Sequence, residues 1–406
     1  MNILVLTSLY ASQEYPRKDD PWTVPFFARE WVKQGHKVIA IVNSTTFPVV
    51  YYYGVILIRP LLVRKYNITG DDLSNRQWTR TFSYNDQGVH VYNLPIKKYF
   101  PSGLYSNKRL DAQIKSIISI LDNNNFRPDV ITGHWINPQF FLISKLKQIY
   151  NCQTSFVFEG DFWPEYIKKY KLCQSKYNID RIGCRSKYAS ESLKNSLVLD
   201  YNPYVCASGI PQDYILSGQS AKKVFKDNQL SVISAGRLVG LKHFDSVITA
   251  CVNGLRGTNY SLCIAGDGTL YNFLSEQIEA LGVANQVSLL GKIPREELMH
   301  RMATSDVFVL ISDHEAFGLV YLEAMAQGCI VVASKNGGID GIIENGVNGF
   351  LCTEGDASEL AEVLKFINSL SANDKQRISQ AAKDTVKCYS DPKAAMRYLD
   401  NIVTQL

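Results

Sequence analysis

Two glutamates frame a turn that follows one of the buried strands of this sequence. In the segment DVFVLISDHEAFGLVYLEAMAQGCIVVAS, a strand is predicted to end near Ser312 and a helix to begin near Phe317 or Gly318. Glu315 lies in the turn and Glu323 lies inside the helix. A helix N-terminus offers unpaired amides to an anion, so the turn can hold a diphosphate while the carboxylates bind hydroxyl groups. The alternative for this pair alone is ordinary solvated charge on a helix.

Two cations follow another predicted strand. In LSVISAGRLVGLKHFDSVITA, Gly236 and Arg237 come directly after the strand, and Lys242 is expected at the start of the next helix. Arg and Lys placed where charge develops on a leaving group are the usual means of stabilising a departing diphosphate. For either residue alone, the alternative is a solvated basic side chain in a loop.

A pair of glycines follows a third strand, in SLCIAGDGTLYNFL. Gly266 and Gly268 lie between this strand and the next predicted helix. The third glycine of a dinucleotide fingerprint is missing, and no acidic residue follows at the right distance on a second strand. The segment is therefore a poor match to a site for a nicotinamide dinucleotide.

Short apolar strands alternate with helical segments along most of the chain. Unbroken Val/Ile/Leu runs such as NILVLTS, KVIAIV and DVFVLIS indicate strands covered on both faces, as in a doubly wound parallel sheet. Pro203, Gly209 and Pro211 interrupt the pattern and predict a domain junction near residue 205. We therefore expect an α/β protein with two Rossmann-like sheets. Ligands bind outside the carboxyl ends of such strands, so the chemistry is expected in a cleft between the two domains.

In order and spacing, these segments resemble the retaining GT-B glycosyltransferases of the glycosyl transferases group 1 family, also called glycosyltransferase family four. The resemblance rests on the segments VLTSLYASQEYP, TGHWINPQ, FEGDFW, AGRLVGLK, AGDG, HEAFGLVYLE, GGIDGIIENGVNGFL and YSDPKAAMRYLDNIV. It implies transfer of a sugar from a nucleotide-diphosphate sugar, as co-substrate, to a saccharide or lipid-linked acceptor in bacterial surface-polysaccharide synthesis. It also implies a metal-independent reaction without a further cofactor.

The resemblance assigns the residues of the second half to the sugar donor. Arg237 and Lys242 would bind the diphosphate and Glu315 the transferred sugar, and these three form the expected catalytic set. Glu323 would bind the ribose hydroxyls. The other residues expected around the donor are Gly236, Gly266, Gly268, Phe317, Gly318 and Leu319, with Gly337 and Gly338 in loops nearby.

The residues expected on the acceptor side depart from the family pattern. Where many relatives have a histidine in an H-G-x-D segment, this chain has Glu159, Gly160 and Asp161. Glu159 and Asp161 can contact the acceptor or the sugar, without an assigned role as general base. His134 ends a predicted strand and matches a common family histidine, so it either orients an acceptor hydroxyl or has a structural role.

The resemblance also implies three segments. Residues 1–205 would form the acceptor-side domain, residues 206–389 would bind the nucleotide sugar, and residues 390–406 would form a helix that crosses back to the first domain. Met396, Leu399, Ile402 and Val403 recur at helical spacing and form an apolar stripe that must be buried. The alternative is that this terminal helix packs on the second domain.

Charge is divided unevenly along the chain. Residues 1–205 contain 26 Lys and Arg against 16 Asp and Glu, although the net charge of the whole chain is only +5. This asymmetry suggests contact between the first domain and an anionic membrane surface, although solubility alone can also produce it. No nucleic-acid motif accompanies the basic charge, so nucleic acid is not expected as a partner.

Cysteine usage and the N-terminus predict a cytoplasmic protein, with a possible peripheral position on the inner face of the plasma membrane. The nine cysteines have no paired spacing, which argues against a disulfide framework. The apolar run at the N-terminus is too short for a signal peptide or a membrane span.

Two other functions remain open from the sequence. A nucleotide-sugar epimerase can share the GT-B architecture without transferring sugar. A catalytically silent nucleotide-sugar-binding protein is suggested by Glu159 at the position of the family histidine.

Overall fold

The computed structural model describes residues 1–16, 21–48, 76–100, 103–159, 163–170, 172, 177–220, 223–313 and 315–403. The chain divides into two compact units. The first unit contains Met1–Arg185, Ala189–Cys206 and the residues from Ala395 onward. The second contains Ser186–Tyr188 and Ala207–Ala394. The division after Cys206 lies beside the junction expected near residue 205.

The first unit is built on an eight-stranded sheet in the order β10-β9-β8-β7-β1-β2-β5-β4. All neighbouring strands in it are parallel except β4 and β5. A separate two-stranded ladder joins β3 and β6. The strands are β1 (Asn2–Thr7), β2 (Lys37–Val42), β3 (Thr45–Thr46), β4 (Phe82–Asp86), β5 (Val89–Asn93), β6 (Ile96–Lys97), β7 (Val130–His134), β8 (Gln153–Val157), β9 (Arg181–Cys184) and β10 (Tyr204–Val205).

Helices connect these strands. They are α1 (Thr23–Lys33), α2 (Asn107–Asn123), α3 (Ile136–Tyr150), α4 (Trp163–Tyr170) and α5 (Lys187–Leu197), with a 3-10 turn at Arg76–Thr79. Five of the six residues of β1 are buried, and so are five of the six in β2. These apolar runs have no polar face because the central strands of a parallel sheet are covered on both sides.

The second unit contains a six-stranded parallel sheet in the order β13-β12-β11-β14-β15-β16. Its strands are β11 (Gln229–Ala235), β12 (Asn259–Ala265), β13 (Val287–Gly291), β14 (Val307–Leu310), β15 (Ile330–Ser334) and β16 (Phe350–Cys352). Its helices are α6 (Gln212–Ser220), α7 (Phe244–Gly254), α8 (Tyr271–Ala280), α9 (Arg295–Thr304), α10 (Leu319–Ala326), α11 (Ala357–Ser369) and α12 (Ala372–Val386), and a 3-10 turn spans Gly240–Lys242.

The last helix, α13 (Asp391–Val403), is divided between the units: its residues up to Ala394 group with the second unit and those from Ala395 with the first. Its crossing toward the first domain stays a prediction. Each unit has its own core of buried apolar side chains. No helix in the described part of the chain is long and apolar enough to span a membrane.

The predicted α/β class with parallel sheets in two units is confirmed. Two details of the predicted elements differ. The strand β14 ends at Leu310 and α10 begins at Leu319, so the turn between them is longer than expected. Lys242 ends a 3-10 turn directly before α7 instead of beginning that helix.

Candidate functional site

The strand order of the second unit reverses between β11 and β14. From β11 the chain proceeds outward through β12 and β13, and then returns to β14 on the other side of β11. Ligands of open α/β sheets bind beyond the carboxyl ends of the strands at such a reversal. The segment after β11 carries Gly236, Arg237 and Lys242, and the segment after β14 carries Glu315. The fold therefore brings the four predicted residues to one edge of one sheet.

Lys242 and Glu315 form an ion pair between Nζ and Oε2, and both side chains are about four-fifths buried. The two segments that carry them are also joined by backbone, because the Asp313 amide donates to the Leu241 carbonyl at 2.9 Å. The ring nitrogen Nε2 of His243 lies 2.8 Å from Oδ1 of Asp313. These contacts fix the ammonium and the carboxylate against each other at the strand ends.

Arg237 differs from Lys242 in its environment. Its side chain is exposed beyond β11. No carboxylate of a described residue lies within 4.0 Å of its guanidinium, so its charge is not neutralised by the described protein groups. An uncompensated, exposed guanidinium at this edge is suited to an incoming phosphate.

The predicted glycines Gly266 and Gly268 let two loops pack backbone against backbone. A Cβ atom on Gly266 would lie 1.8 Å from the Gly236 carbonyl oxygen, and one on Gly268 would lie 2.4 Å from the Leu238 carbonyl oxygen. The loops are joined by a 3.0 Å hydrogen bond from the Leu238 amide to the Asp267 carbonyl. In this structure the two glycines therefore shape the loop that holds Arg237.

The turn before α10 lies at the same edge of the sheet. Gly318 has φ +76°, and a Cβ there would meet the ring of Tyr321 at 2.4 Å. The Tyr321 hydroxyl donates to the Leu310 carbonyl at 2.9 Å, which ties the first turn of α10 to the end of β14. Phe317 is buried beneath the turn, and Leu319 begins the helix. The backbone amides at this helix start therefore lie beyond the strand end.

Glu323 lies on α10 with its side chain 2% exposed. Its Oε1 is paired with the guanidinium of Arg295, the first residue of α9. Its Oε2 is buried and has no hydrogen-bond partner among the described residues. Burying a carboxylate oxygen without a partner is costly, and a hydrogen bond donated by a ligand would offset that cost.

In the first unit, His134 ends β7 and is fully buried. Its Nδ1 lies 2.8 Å from Oε1 of Glu159, and its Nε2 lies 2.9 Å from the hydroxyl of Tyr398 on α13. The Tyr398 hydroxyl also lies 2.5 Å from the hydroxyl of Thr132. Both ring nitrogens of His134 therefore have protein partners.

Glu159 is held by two groups at once. Its Oε2 lies 3.3 Å from Nε of Arg185, and both side chains are less than a tenth exposed. Burial alone would raise the pKa of Glu159, but Arg185 and the hydrogen bond from His134 outweigh it and hold that pKa below its ordinary value. A carboxylate at this position accepts a hydrogen bond from Nδ1 of His134.

Three of these residues were not expected from the sequence: Arg185, Arg295 and Tyr398. Arg185 directly follows β9, and Arg295 begins the helix after β13, so the rule that strand ends carry function could have found both. Tyr398 is separated from His134 by more than half the chain, and no local pattern joins them. Asp161 lies outside the described residues. The acceptor roles of His134, Glu159 and Asp161 stay predictions.

Comparison with known proteins finds a family match over part of the chain. Residues 218–385, which carry every donor-side residue discussed above, match the protein family described as "Glycosyl transferases group 1". The amylovoran biosynthesis glycosyltransferase AmsK of Erwinia amylovora is 32% identical over 184 residues, which cover 44% of this chain and 45% of AmsK. The chain spans less than half the length of the first curated relatives it matches.

Solved structures resemble the whole chain at low sequence identity. A glycosyltransferase from Rickettsia africae has a TM-score of 0.67 at 16% identity, with 100% of this chain and 99% of that chain covered. Anabaena Alr3699/HepE in complex with UDP has a TM-score of 0.66 at 16% identity, with both chains fully covered. The likeness shows that the chain has the GT-B fold. The predicted resemblance is thus confirmed for the fold and for a glycosyl transferases group 1 domain at residues 218–385.

Proposed function

We propose that the chain is a retaining glycosyltransferase that moves a sugar from a nucleoside-diphosphate sugar to a saccharide or lipid-linked acceptor. The observation that carries the proposal is the arrangement at the strand reversal of the second unit. There Arg237, Lys242, Glu315 and the start of α10 lie within the domain at residues 218–385. The name of AmsK supports a role in polysaccharide synthesis.

The diphosphate would bind where Arg237 and Lys242 converge with the α10 amides. Arg237 brings a guanidinium that no carboxylate of the described residues neutralises. Lys242 is held in place by Glu315 before the donor arrives, so little reorganisation is needed when charge develops on the leaving phosphate. The helix start adds unpaired amides and the positive end of its dipole.

The ion pair with Lys242 leaves Glu315 able to bind the transferred sugar. A carboxylate that is already paired with Lys242 can accept hydrogen bonds from sugar hydroxyls on its remaining lone pairs. The transferred sugar and the phosphate it leaves would then contact the two members of one pair, which positions the bond that breaks.

The ribose would bind at Glu323. Two neighbouring hydroxyls of a ribose are hydrogen-bond donors, and the buried Oε2 of Glu323 has no described partner. Hydrogen bonds from the ribose would satisfy this oxygen at little further desolvation cost because it is already out of water. UDP is the first nucleotide to test, since the structurally similar HepE binds it.

In this proposal Arg237 and Lys242 supply the positive charge that stabilises the leaving diphosphate. We therefore expect the reaction to be metal-independent. Turnover with a chelator should equal turnover with added Mg²⁺ or Mn²⁺, and a large stimulation by either metal would contradict this part of the proposal.

The activity can be tested in two steps. A thermal-shift screen of UDP and GDP identifies the base, because a ligand that binds only the folded protein raises its unfolding temperature. Nucleotide sugars with that base are then incubated with a panel of saccharide and lipid-linked acceptors. We expect a new glycoside with the anomeric configuration of the donor, read by NMR coupling constants.

The alternatives give different products. An epimerase would release an epimerised nucleotide sugar without any acceptor. A silent binding protein would show the thermal shift with neither hydrolysis nor transfer. A glycoside with inverted anomeric configuration would support the transferase activity but contradict the retaining mechanism.

A further inference from the structure

His243 lies directly after Lys242 and has a backbone conformation that glycine adopts most easily. Its φ is +50° and its ψ is +39°, in the left-handed region, where most other side chains add strain. His243 is also the N-cap residue of α7, but its side chain caps no amide of that helix. Glycine or asparagine would suit both the cap and the left-handed backbone better. Local structure therefore does not account for a histidine at this position.

The ring of His243 contacts the segment that follows β14. Its Nε2 is shielded from solvent and lies 2.8 Å from Oδ1 of Asp313, as an ion pair rather than an aligned hydrogen bond. With a proton on Nε2, the ring meets the carboxylate favourably whether the ring is neutral or charged. The two side chains are 25% and 30% exposed, so salt screens their attraction less than that of surface charges.

The same ring packs against the loop that follows β16. A Cβ atom on Gly355, which has φ +63°, would lie 2.9 Å from both Nδ1 and Cε1 of His243. The Ser246 hydroxyl of α7 donates to the Gly355 carbonyl at 2.8 Å, and the Gly355 amide donates to the Ile311 carbonyl at 3.1 Å. Gly355 therefore leaves room for the ring while its backbone is bonded to α7 and to the segment after β14.

Three consecutive residues after β11 contact the segment after β14. The Leu241 carbonyl accepts from the Asp313 amide at 2.9 Å, and His243 pairs with the carboxylate of the same aspartate. Between them along the chain, Lys242 pairs with Glu315. His243 in addition contacts the loop after β16. The ion pair of Lys242 is thus flanked by contacts that hold the strand-end segments together.

We propose that His243 is a positioning residue for the reaction at the strand reversal. With Asp313 and Gly355 it forms a group that we call the strand-end clamp, which holds the segments after β11, β14 and β16 against one another. Lys242 and Glu315 then keep their places as charge develops on the leaving phosphate, so less reorganisation is needed. The left-handed backbone at His243 fits this role, since strained backbone persists where the surrounding structure holds it and clusters at functional sites.

This inference rests on the proposed function, and replacing His243 with glycine separates positioning from folding. His243→Gly relieves the left-handed backbone as it removes the ring, so its unfolding temperature should stay within about 3 °C of wild type. Its turnover at saturating donor should fall about ten- to 100-fold, because a displacement of about 1 Å can lower a rate about 100-fold. The KM for the donor should change much less than turnover, since the clamp acts as charge develops in the transition state.

Two further variants test whether the ring is responsible. His243→Asn also suits the left-handed region, but its side chain is too short to place a donor where Nε2 lies. It should therefore lose as much turnover as His243→Gly. The matched control is Asn228→Gly, which changes a residue at φ +54° directly before β11, at the opposite end of that strand, and should keep wild-type turnover.

A double variant tests the partner of the ring. Asp313→Ala removes the carboxylate that faces His243. Combining it with His243→Gly should lower turnover no further than His243→Gly alone, because both changes remove the same contact. Losses that multiply in the double variant would overturn the pairing.

Amide exchange tests the clamp without any sugar donor. In ligand-free His243→Gly, the Asp313 amide that bonds to Leu241 should exchange faster than in the wild type and in Asn228→Gly. Equal exchange in all of them would overturn the proposal, and so would wild-type turnover in His243→Gly. If the wild type transfers no sugar to any acceptor, the proposed function fails, whereas faster exchange at Asp313 would still support the clamp.

Discussion

Replacing Glu159 with glutamine tests the buried network of the first unit. Glu159→Gln keeps the shape of the side chain and removes the charge that faces Arg185, which is itself 3% exposed. Breaking a buried ion pair by removing one partner usually costs about 3–5 kcal/mol. The low end is expected here, near 3 kcal/mol, because Arg185 keeps its hydrogen bond to the Cys206 carbonyl at 2.5 Å.

The first unit can be followed by itself in this experiment. All five tryptophans of the chain lie within it: Trp22, Trp31, Trp78, Trp135 and Trp163. Urea unfolding monitored by tryptophan emission therefore reports the first unit, and the midpoint gives the change in its unfolding free energy. The matched control is Glu191→Gln, an exposed glutamate on α5, which should change that free energy by less than about 0.5 kcal/mol.

The pH dependence of the unfolding free energy gives a second readout of the pair between Glu159 and Arg185. The pKa of Glu159 is lower in the folded chain than its ordinary value of 4.5. A carboxyl whose pKa is depressed by folding stabilises the folded chain above its ordinary pKa. This contribution is lost as the pH falls through the pKa of the folded chain. The wild type should thus lose stability below pH 4.5 more steeply than Glu159→Gln. A variant within about 1 kcal/mol of wild type, with the same acid dependence, would refute the role of the pair.

The remaining predictions concern the donor site and the last helix. Lys242→Ala and Arg237→Ala should each lower turnover at saturating donor by about two to three orders of magnitude, the scale for losing one preorganised charge, while the surface control Lys365→Ala stays near wild type. Glu323→Gln should weaken donor binding by about one to two orders of magnitude, since a charge-assisted hydrogen bond contributes about 1.5–3 kcal/mol; unchanged affinity in calorimetry would remove Glu323 from the ribose site. Deleting the chain from Asp391 should abolish transfer and speed amide exchange in the first unit. Exchange that rises only in the second unit would contradict this.

The sequence predicted the elements of the fold because the strands are continuous apolar runs. NILVLTS and KVIAIV became β1 and β2 with nearly every residue buried. The same regularity predicted that the residues proposed for the donor lie together, since Arg237 and Glu315 each follow such a strand and parallel strands end at one edge. Sequence spacing could not show that Lys242 and Glu315 pair with each other, because 73 residues separate them.

The acceptor-side residues were harder to interpret from sequence. The family pattern left two roles open for His134, orienting an acceptor hydroxyl or a structural role, and in the structure its two ring nitrogens contact Glu159 and Tyr398. Tyr398 lies 264 residues away on the last helix, and its position depends on tertiary packing against Phe27 and Trp31. Arg295 and Glu323 likewise lie on different helices, so only the folded chain shows their contact.

The placement of the donor site is tested most directly by locating bound UDP on the chain with hydrogen exchange. Saturating UDP should slow amide exchange at residues 236–242 and 315–323, the two segments that leave β11 and β14, and Lys242→Ala should weaken this protection. No protection is expected at residues 276–280, the second half of α8, because the helix runs away from the edge at which β12 ends. UDP that binds without slowing exchange at 236–242 and 315–323, or that protects another part of the chain instead, would contradict the placement of the donor site.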